Sequence, residues 1–236
     1  MKYFCNFLWE KGFREKNEDS LCVRQITQNG RIYLLAAVCD GIGGLSQGEN
    51  ASSYVVSGMI TAFQKMVKRS AKLSSRKIRN LFYRQIYRCH RGLQEYGRKQ
   101  GIELGTTLSM LVIAGNRGYL FHVGDSAFFC GRKKLKKRTV CHHSQSGALL
   151  QAVGNGKNPK LQFSMFRIHK NCVYLLASDG FYRRYETGIC NKEWIREAVC
   201  DEKKIGELLI NTKEKVQELG EKDNISAICI RTAGAR

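Results

Sequence analysis

The chain holds one proline, Pro159, in 236 residues, and no Ser-rich spacer takes the place of proline-rich linkers. No internal repeat is visible either. The economical reading is a single domain over 1–236, with a core from about residue 3 to residue 231. Apolar runs as long as the roughly 18 residues of a membrane span are missing. The apolar patch from Met1 to Phe13 is interrupted by Glu10 and Lys11, and no small-residue cleavage site follows it, so no secretory signal is expected. There is no C-x-x-C pair. The ten cysteines never stand closer than ten residues apart, which disfavours zinc ribbons, dithiol redox motifs and a disulfide scaffold. Most lie in apolar runs, as Cys22, Cys39, Cys172 and Cys229 do, where a reduced thiol is a small hydrophobe. A reducing cytoplasm is expected. Cys141-His142-His143 has no second cluster to complete a metal site.

Acidic residues are also scarce: 20 Asp+Glu stand against 40 Lys+Arg, for a formal net charge of +20. Such an excess invites a nucleic-acid or anionic-surface reading. Its placement argues for something blander. Twelve basic residues and one acid, Glu95, lie between Gln64 and Gln100, and six more lie in Arg132-Lys-Lys-Leu-Lys-Lys-Arg138. The first group falls between apolar positions of a helical pattern and reads as a solvated outer face. No aromatic interleaving accompanies either run, so specific nucleic-acid binding is not expected. Since 43% of the residues are hydrophobic, the chain has the means to bury a core.

Strand patterns occupy 3–9, 20–26 and 31–39, the last two joined by the turn signal Gln28-Asn29-Gly30. After a glycine-rich loop the period changes. Val55, Met59, Ala62 and Met66 recur at helical spacing, as do Ile78, Phe82, Ile86, Cys89 and Leu93. Strand character returns over 106–114, 119–123, 128–130, 161–168 and 172–177. Helical patterns over 193–199 and 204–219 precede a last strand at 225–230. That order predicts antiparallel sheets faced by helices rather than alternating βαβ units.

The few acids recur at the mouths of apolar strands. They are Glu18-Asp19, Asp40 before Gly41, Asp125 after Gly124, Asp179 before Gly180, and Asp223 before Asn224. Each alone is an ordinary turn residue. If the strand ends converge, two bare carboxylates about 4 Å apart repel by about 4 kcal/mol at an effective dielectric near 20. Such a group needs protons or cations. Oxygen ligands without His or Cys point to hard divalent ions, Mg²⁺ or Mn²⁺. Two of them can activate a water and neutralise phosphate oxygens during in-line attack.

Read in order, seven segments resemble the metal-dependent (type 2C, PPM) serine/threonine protein phosphatases, in compactness the bacterial members. They are Arg14-Glu-Lys-Asn-Glu-Asp-Ser20, Val38-Cys-Asp-Gly-Ile-Gly-Gly44 with Gly48-Glu-Asn-Ala-Ser52, and Leu104-Gly-Thr-Thr107. His122-Val-Gly-Asp-Ser126, Ala152-Val-Gly154, Leu176-Ala-Ser-Asp-Gly-Phe181 and Lys222-Asp-Asn-Ile-Ser226 follow. The resemblance implies an α+β fold, a four-layer αββα sandwich of two antiparallel sheets flanked by helices. It also implies hydrolysis of phosphoserine and phosphothreonine in proteins by a metal-activated water, at a centre of two Mn²⁺ or Mg²⁺ ions. Asp40 would bridge the ions, Glu18 and the Gly41 carbonyl would complete one, and Asp179 and Asp223 would hold the other. Asp125 matches the position that helps bind a weaker third ion in bacterial relatives. Asp19 would orient the attacking water, and Arg14 would grip the substrate phosphate. No phosphoenzyme is implied, so the cysteines have no catalytic duty.

The departures are local. Ile42 stands where many members have His or Met, so the leaving alcohol's proton is expected from water at the metal centre. Ala127 replaces a frequent Arg. The substrate-facing flap is shortened around 144–160, so substrate choice does not transfer from relatives. The implied partners are phosphorylated proteins and a cognate Ser/Thr kinase, and a monomer is expected. The competing reading is a pseudophosphatase module on the same scaffold that binds polyanions or nucleic acid through the basic stretches. His122 is read as structural, the threonines of Leu104-Gly-Thr-Thr107 as bonding backbone, and Tyr182 and Tyr185 as packing.

Overall fold

The computed structural model describes residues 1–42, 47–69, 73–141, 151–200 and 202–234. Its elements are β1 (Lys2–Glu10), β2 (Asp19–Gln28), β3 (Arg31–Asp40), α1 (Gly48–Lys68), α2 (Ser75–Gln100), β4 (Leu108–Ala114), β5 (Arg117–Val123) and β6 (Ala127–Gly131). There follow β7 (Lys136–Lys137), β8 (Gln162–Arg167), β9 (Val173–Ala177), α3 (Asp179–Tyr182), α4 (Glu186–Ile189), α5 (Lys192–Cys200), α6 (Glu202–Glu218) and β10 (Ile225–Ala233). The strands form two antiparallel five-stranded sheets, ordered β2-β3-β4-β5-β8 and β1-β10-β9-β6-β7.

Three apolar clusters stack these sheets into layers. Leu34, Ala36, Val38, Leu111 and Leu120 of the first sheet meet Phe128, Tyr174, Leu176, Ile228 and Ile230 of the second. The opposite face of the first sheet, with Leu35, Ala37, Met110 and Phe121, packs on Val55, Met59, Phe63, Phe82 and Ile86 of α1 and α2. Leu175, Ala177, Ala227 and Cys229 on the outer face of the second sheet bury Trp194, Ile195, Leu208 and Leu209 of α5 and α6. The four-layer αββα sandwich is therefore the observed architecture. It also explains the unbroken apolar run of β3: that strand is covered on both faces, so it has no solvent side to alternate with.

The β2–β3 hairpin turns through Asn29 at φ 52° and Gly30 at φ 69°, the pair of left-handed residues that a tight hairpin with right-handed strand twist needs. Ser74 caps α2 by accepting a hydrogen bond from the Lys77 amide at 3.4 Å, and Gly101 ends it in a left-handed conformation at φ 67°. Along α2 the side chains of Arg76, Lys77, Arg79, Arg84, Arg88, Arg91, Arg98 and Lys99 are exposed opposite the apolar seam. The strand expected to begin at Thr106 starts at Leu108 instead. Thr106 makes isolated bridges to Gly41 and Val153, which draws its segment towards the end of β3. Among the described residues no helix is long and apolar enough to cross a membrane.

Candidate metal centre

The antiparallel register sets Asp19, the first residue of β2, opposite Asp40, the last of β3. Asp125 lies in the turn by which the chain leaves β5 for β6, crossing from one sheet to the other. Asp179 opens α3 just beyond β9, and Asp223 lies just before β10. The strand ends of both sheets thus converge, as the acidic pattern requires. One carboxylate oxygen each from Asp40, Asp125 and Asp179 lie within 4.8 Å of one another.

Short-range hydrogen bonds fix the end of β3. The Asp40 amide donates to Thr107 Oγ1 at 3.0 Å, while the Asp40 carbonyl accepts from the Thr107 amide and from Thr106 Oγ1, both at 2.8 Å. Thr107 Oγ1 lies 2.6 Å from Ser126 Oγ, which couples β3 to the Asp125 turn. The Gly41 amide donates to the Glu18 carbonyl at 3.1 Å. A side chain at Gly41 is excluded by this close approach, because a Cβ there would stand 2.5 Å from the Gly48 backbone. His122, whose Nδ1 lies 2.8 Å from Ser109 Oγ and whose Nε2 lies 3.1 Å from the Val140 carbonyl, is a structural residue as expected.

Glu18, Asp19 and Asp223 stand outside the trio but share its field. Asp223 holds the Arg14 guanidinium through two contacts, Nε to Oδ1 at 3.0 Å and Nη2 to Oδ2 at 2.9 Å. Asp19 is buried, and among the described residues neither of its carboxylate oxygens has a hydrogen-bond partner. Burial pushes its pKa up to about 7; the nearby hydroxyls of Ser226 and Ser178 oppose this, and the charges of Asp179 and Asp223 add to it. Asp179 is pushed up to about 6, first by burial and then by Asp125, with Arg183 pulling the other way. Asp40 keeps some contact with solvent, yet the protein packed around it is the main cause that raises its pKa well above the usual range. The charges of Asp19, Asp179, Asp125 and Asp223 add to this. Glu18 is raised by burial and then by Glu49.

This arrangement is chemically one-sided. A buried carboxylate without a donor and three others converging within a few ångströms form a cluster short of positive charge. Among the described residues every convergent donor is a hard oxygen, so the residues fit a divalent cation of the Mg²⁺ or Mn²⁺ kind.

Three contributors escaped the sequence reading. Arg183, on the turn after α3, contacts Asp179 closely and reaches Asp125 Oδ2 at 3.4 Å. Tyr182, read as packing, donates its hydroxyl to the Asp125 carbonyl at 2.6 Å. Asn224 clamps the segment before β2: its Oδ1 accepts from the Glu18 amide at 2.8 Å. Its Nδ2 donates to the carbonyls of Lys11 at 2.8 Å and Lys16 at 2.9 Å. The Asp-Asn pair before a strand was the one available signal for the last of these. Gly43 and Gly44, the Cys141-His142-His143 pair of histidines and the 144–150 part of the shortened flap lie outside the described residues.

A family model described as protein phosphatase 2C matches residues 14–217. Among solved structures, the serine/threonine phosphatase Stp1 of Staphylococcus aureus superposes with a TM-score of 0.82 at 20% identity, over 99% of this chain and 96% of its own. The S. agalactiae serine/threonine phosphatase gives 0.80 at 19% identity, over 98% of this chain and 100% of its own. The catalytic domain of the phosphatase PstP, solved in complex with two manganese ions, gives 0.76 at 19% identity over 99% of this chain and 100% of its own. At these identities the structural likeness speaks for the fold.

Proposed function

Because the chain belongs to the protein phosphatase 2C family, we propose that it hydrolyses phosphoserine and phosphothreonine in proteins at a centre of two divalent cations, Mn²⁺ or Mg²⁺. The observation that carries this reading is the convergence of Asp40, Asp125 and Asp179 beside the partnerless, buried Asp19. A scaffold that had lost catalysis would have little reason to keep so costly a cluster. That favours an enzyme over a polyanion-binding pseudophosphatase.

Asp40 would be the ligand shared by the two ions, since it ends β3 in the midst of the other acids and feels four of them. Glu18 and the Gly41 carbonyl would complete one ion, Asp179 and Asp223 the other, with Asp125 available to a weaker third. When bound, the ions supply positive charge to the phosphate oxygens and lower the pKa of water. The chain's own residues do the rest. Arg14 sits half-exposed at the rim beside Asp223, and its planar fork suits two phosphate oxygens at once. Asp19 is buried, and among the described residues neither of its oxygens is hydrogen-bonded, so it can orient the attacking water and take its proton. Ile42 offers no acid at the rim, so the leaving alcohol's proton is assigned to water.

The substrates would be phosphoproteins made by a Ser/Thr kinase, in a signalling role in a reducing compartment, the cytoplasm, with the chain acting as a monomer of one domain. The test is phosphate release from a phosphothreonine peptide with Mn²⁺, for the unaltered chain and Asp179→Asn. The reading requires at least about a hundredfold loss in the variant. Equal rates would refute it.

A further inference from the structure

A large cavity among the described residues lies away from the carboxylates. It lies between the two sheets at their open edges, where β7 ends one sheet and β8 ends the other. Its volume is about 770 Å³, within the range of small-molecule sites. Six cationic side chains line it: Arg132, Lys133, Lys134 and Lys136 of the β6–β7 hairpin, Arg138 just after it, and Arg167 of β8. No Asp or Glu shares the lining, and none of the six forms an ion pair among the described residues. Five of the six basic residues in the run Arg132–Arg138, all but Lys137, which pairs with Glu186, form the basic wall of this cleft.

The other wall is apolar. Met165 is exposed and Phe166 half-buried, and Phe166 stacks in a tier with Phe128 and Tyr174, at centroid separations of 5.9 and 6.0 Å. Gln162 staples the far end of the cleft. Its amide accepts from the Val140 amide at 2.9 Å and donates to the Arg138 carbonyl at 2.9 Å, which holds the two sheet edges at a fixed separation. The cleft is therefore held open by a hydrogen-bonded strut. From Asp125 the chain runs about 20 Å along β6 to Gly131, so cleft and carboxylate cluster are separate places.

We propose that this cleft binds a multiply phosphorylated small molecule that also carries a flat, apolar part, the chemistry of a nucleoside polyphosphate. The phosphates lie against the hairpin cations and Arg167, and the base lies against Phe166 and Met165. Unpaired cations crowded on one hairpin repel each other, and a compact polyanion relieves that repulsion at several points at once. An extended acidic peptide would satisfy the charges but has no use for an aromatic wall in a cavity of this size.

The test is calorimetric titration of the full chain, in Mg²⁺, with the β,γ-imido analogue of ATP, which resists hydrolysis. Binding is expected for the unaltered chain and, undiminished, for Asp40→Asn, which separates this cleft from the metal centre whatever the fate of the phosphatase reading. Arg132→Gln with Arg167→Gln, both surface changes, is expected to weaken binding at least about tenfold. Tripolyphosphate is expected to bind more weakly than the nucleotide analogue. The proposal is overturned by no binding, by binding that Asp40→Asn abolishes, or by indifference to the double variant. It is equally overturned if tripolyphosphate or an Asp/Glu-rich peptide binds as tightly as the nucleotide analogue.

Discussion

Asp19 and Asp40 face each other across the β2–β3 pair, one opening its strand and the other closing it. The tight turn at Asn29-Gly30 fixes that register from the far end of the hairpin, and a slip of one residue would send every side chain of β2 to the wrong face. An ordinary hairpin thereby forces two acids together at a buried edge. Asp19 adds to the upward push on Asp40, Asp179 and Asp223 raise both, and the positive charge the cluster lacks has to come from bound cations or from protons.

That tension makes the stability of the metal-free protein depend on pH in an unusual direction. Asp19 at about 7 and Asp179 at about 6 hold protons in the native state that the unfolded chain has already released above the ordinary 3.8. Between those values the native state binds more protons, so stability falls as pH rises. In EDTA, urea unfolding should show a loss of about 4 kcal/mol between pH 5 and pH 7.5. Saturating Mn²⁺ should remove that slope. A flat or rising stability in EDTA over the same window would contradict the assignment.

Arg183 competes for the same oxygens as a cation would, since it contacts both Asp179 and Asp125. Its side chain is 59% exposed, so the pair is screened and its strength modest. Arg183→Gln should lower the melting temperature in EDTA and tighten Mn²⁺ binding by about two- to tenfold. Calorimetry on the two proteins decides it, and unchanged Mn²⁺ affinity counts against the competition.

Arg14 has a different signature. Half-exposed and paired with Asp223, it can turn to a substrate phosphate without disturbing the core. Arg14→Ala should raise KM for a phosphothreonine peptide about tenfold, while Mn²⁺ affinity does not fall. Steady-state kinetics beside Mn²⁺ titration separates phosphate gripping from metal support, because losing a purely supporting residue would lower the Mn²⁺ affinity.

Most of this architecture was legible because the signals are local. The Asn29-Gly30 turn, the apolar spacing from Val55 to Met66 and the doubly covered run of β3 each carry their own pattern. Element ends were less so: α1 begins at Gly48, several residues before its first strongly periodic apolar position, because that turn packs against Gly41 and Glu18 rather than the sheet. The acids could be singled out by place, at strand mouths, but their convergence depends on how two sheets stack, which no periodicity encodes. Tyr182 ends, and Arg183 follows, a four-residue helix too short to leave a pattern, so their hold on Asp125 becomes visible only in three dimensions.

The central claim is that catalysis needs two divalent ions held by these carboxylates. The most direct test measures bound Mn²⁺ and phosphate release on the same samples as metal is added back to EDTA-stripped protein. Activity should stay near zero at one equivalent and rise as the second binds, and Asp40→Asn should lose both. Phosphate release that persists in EDTA, or reaches its full rate with a single ion bound, would contradict the account.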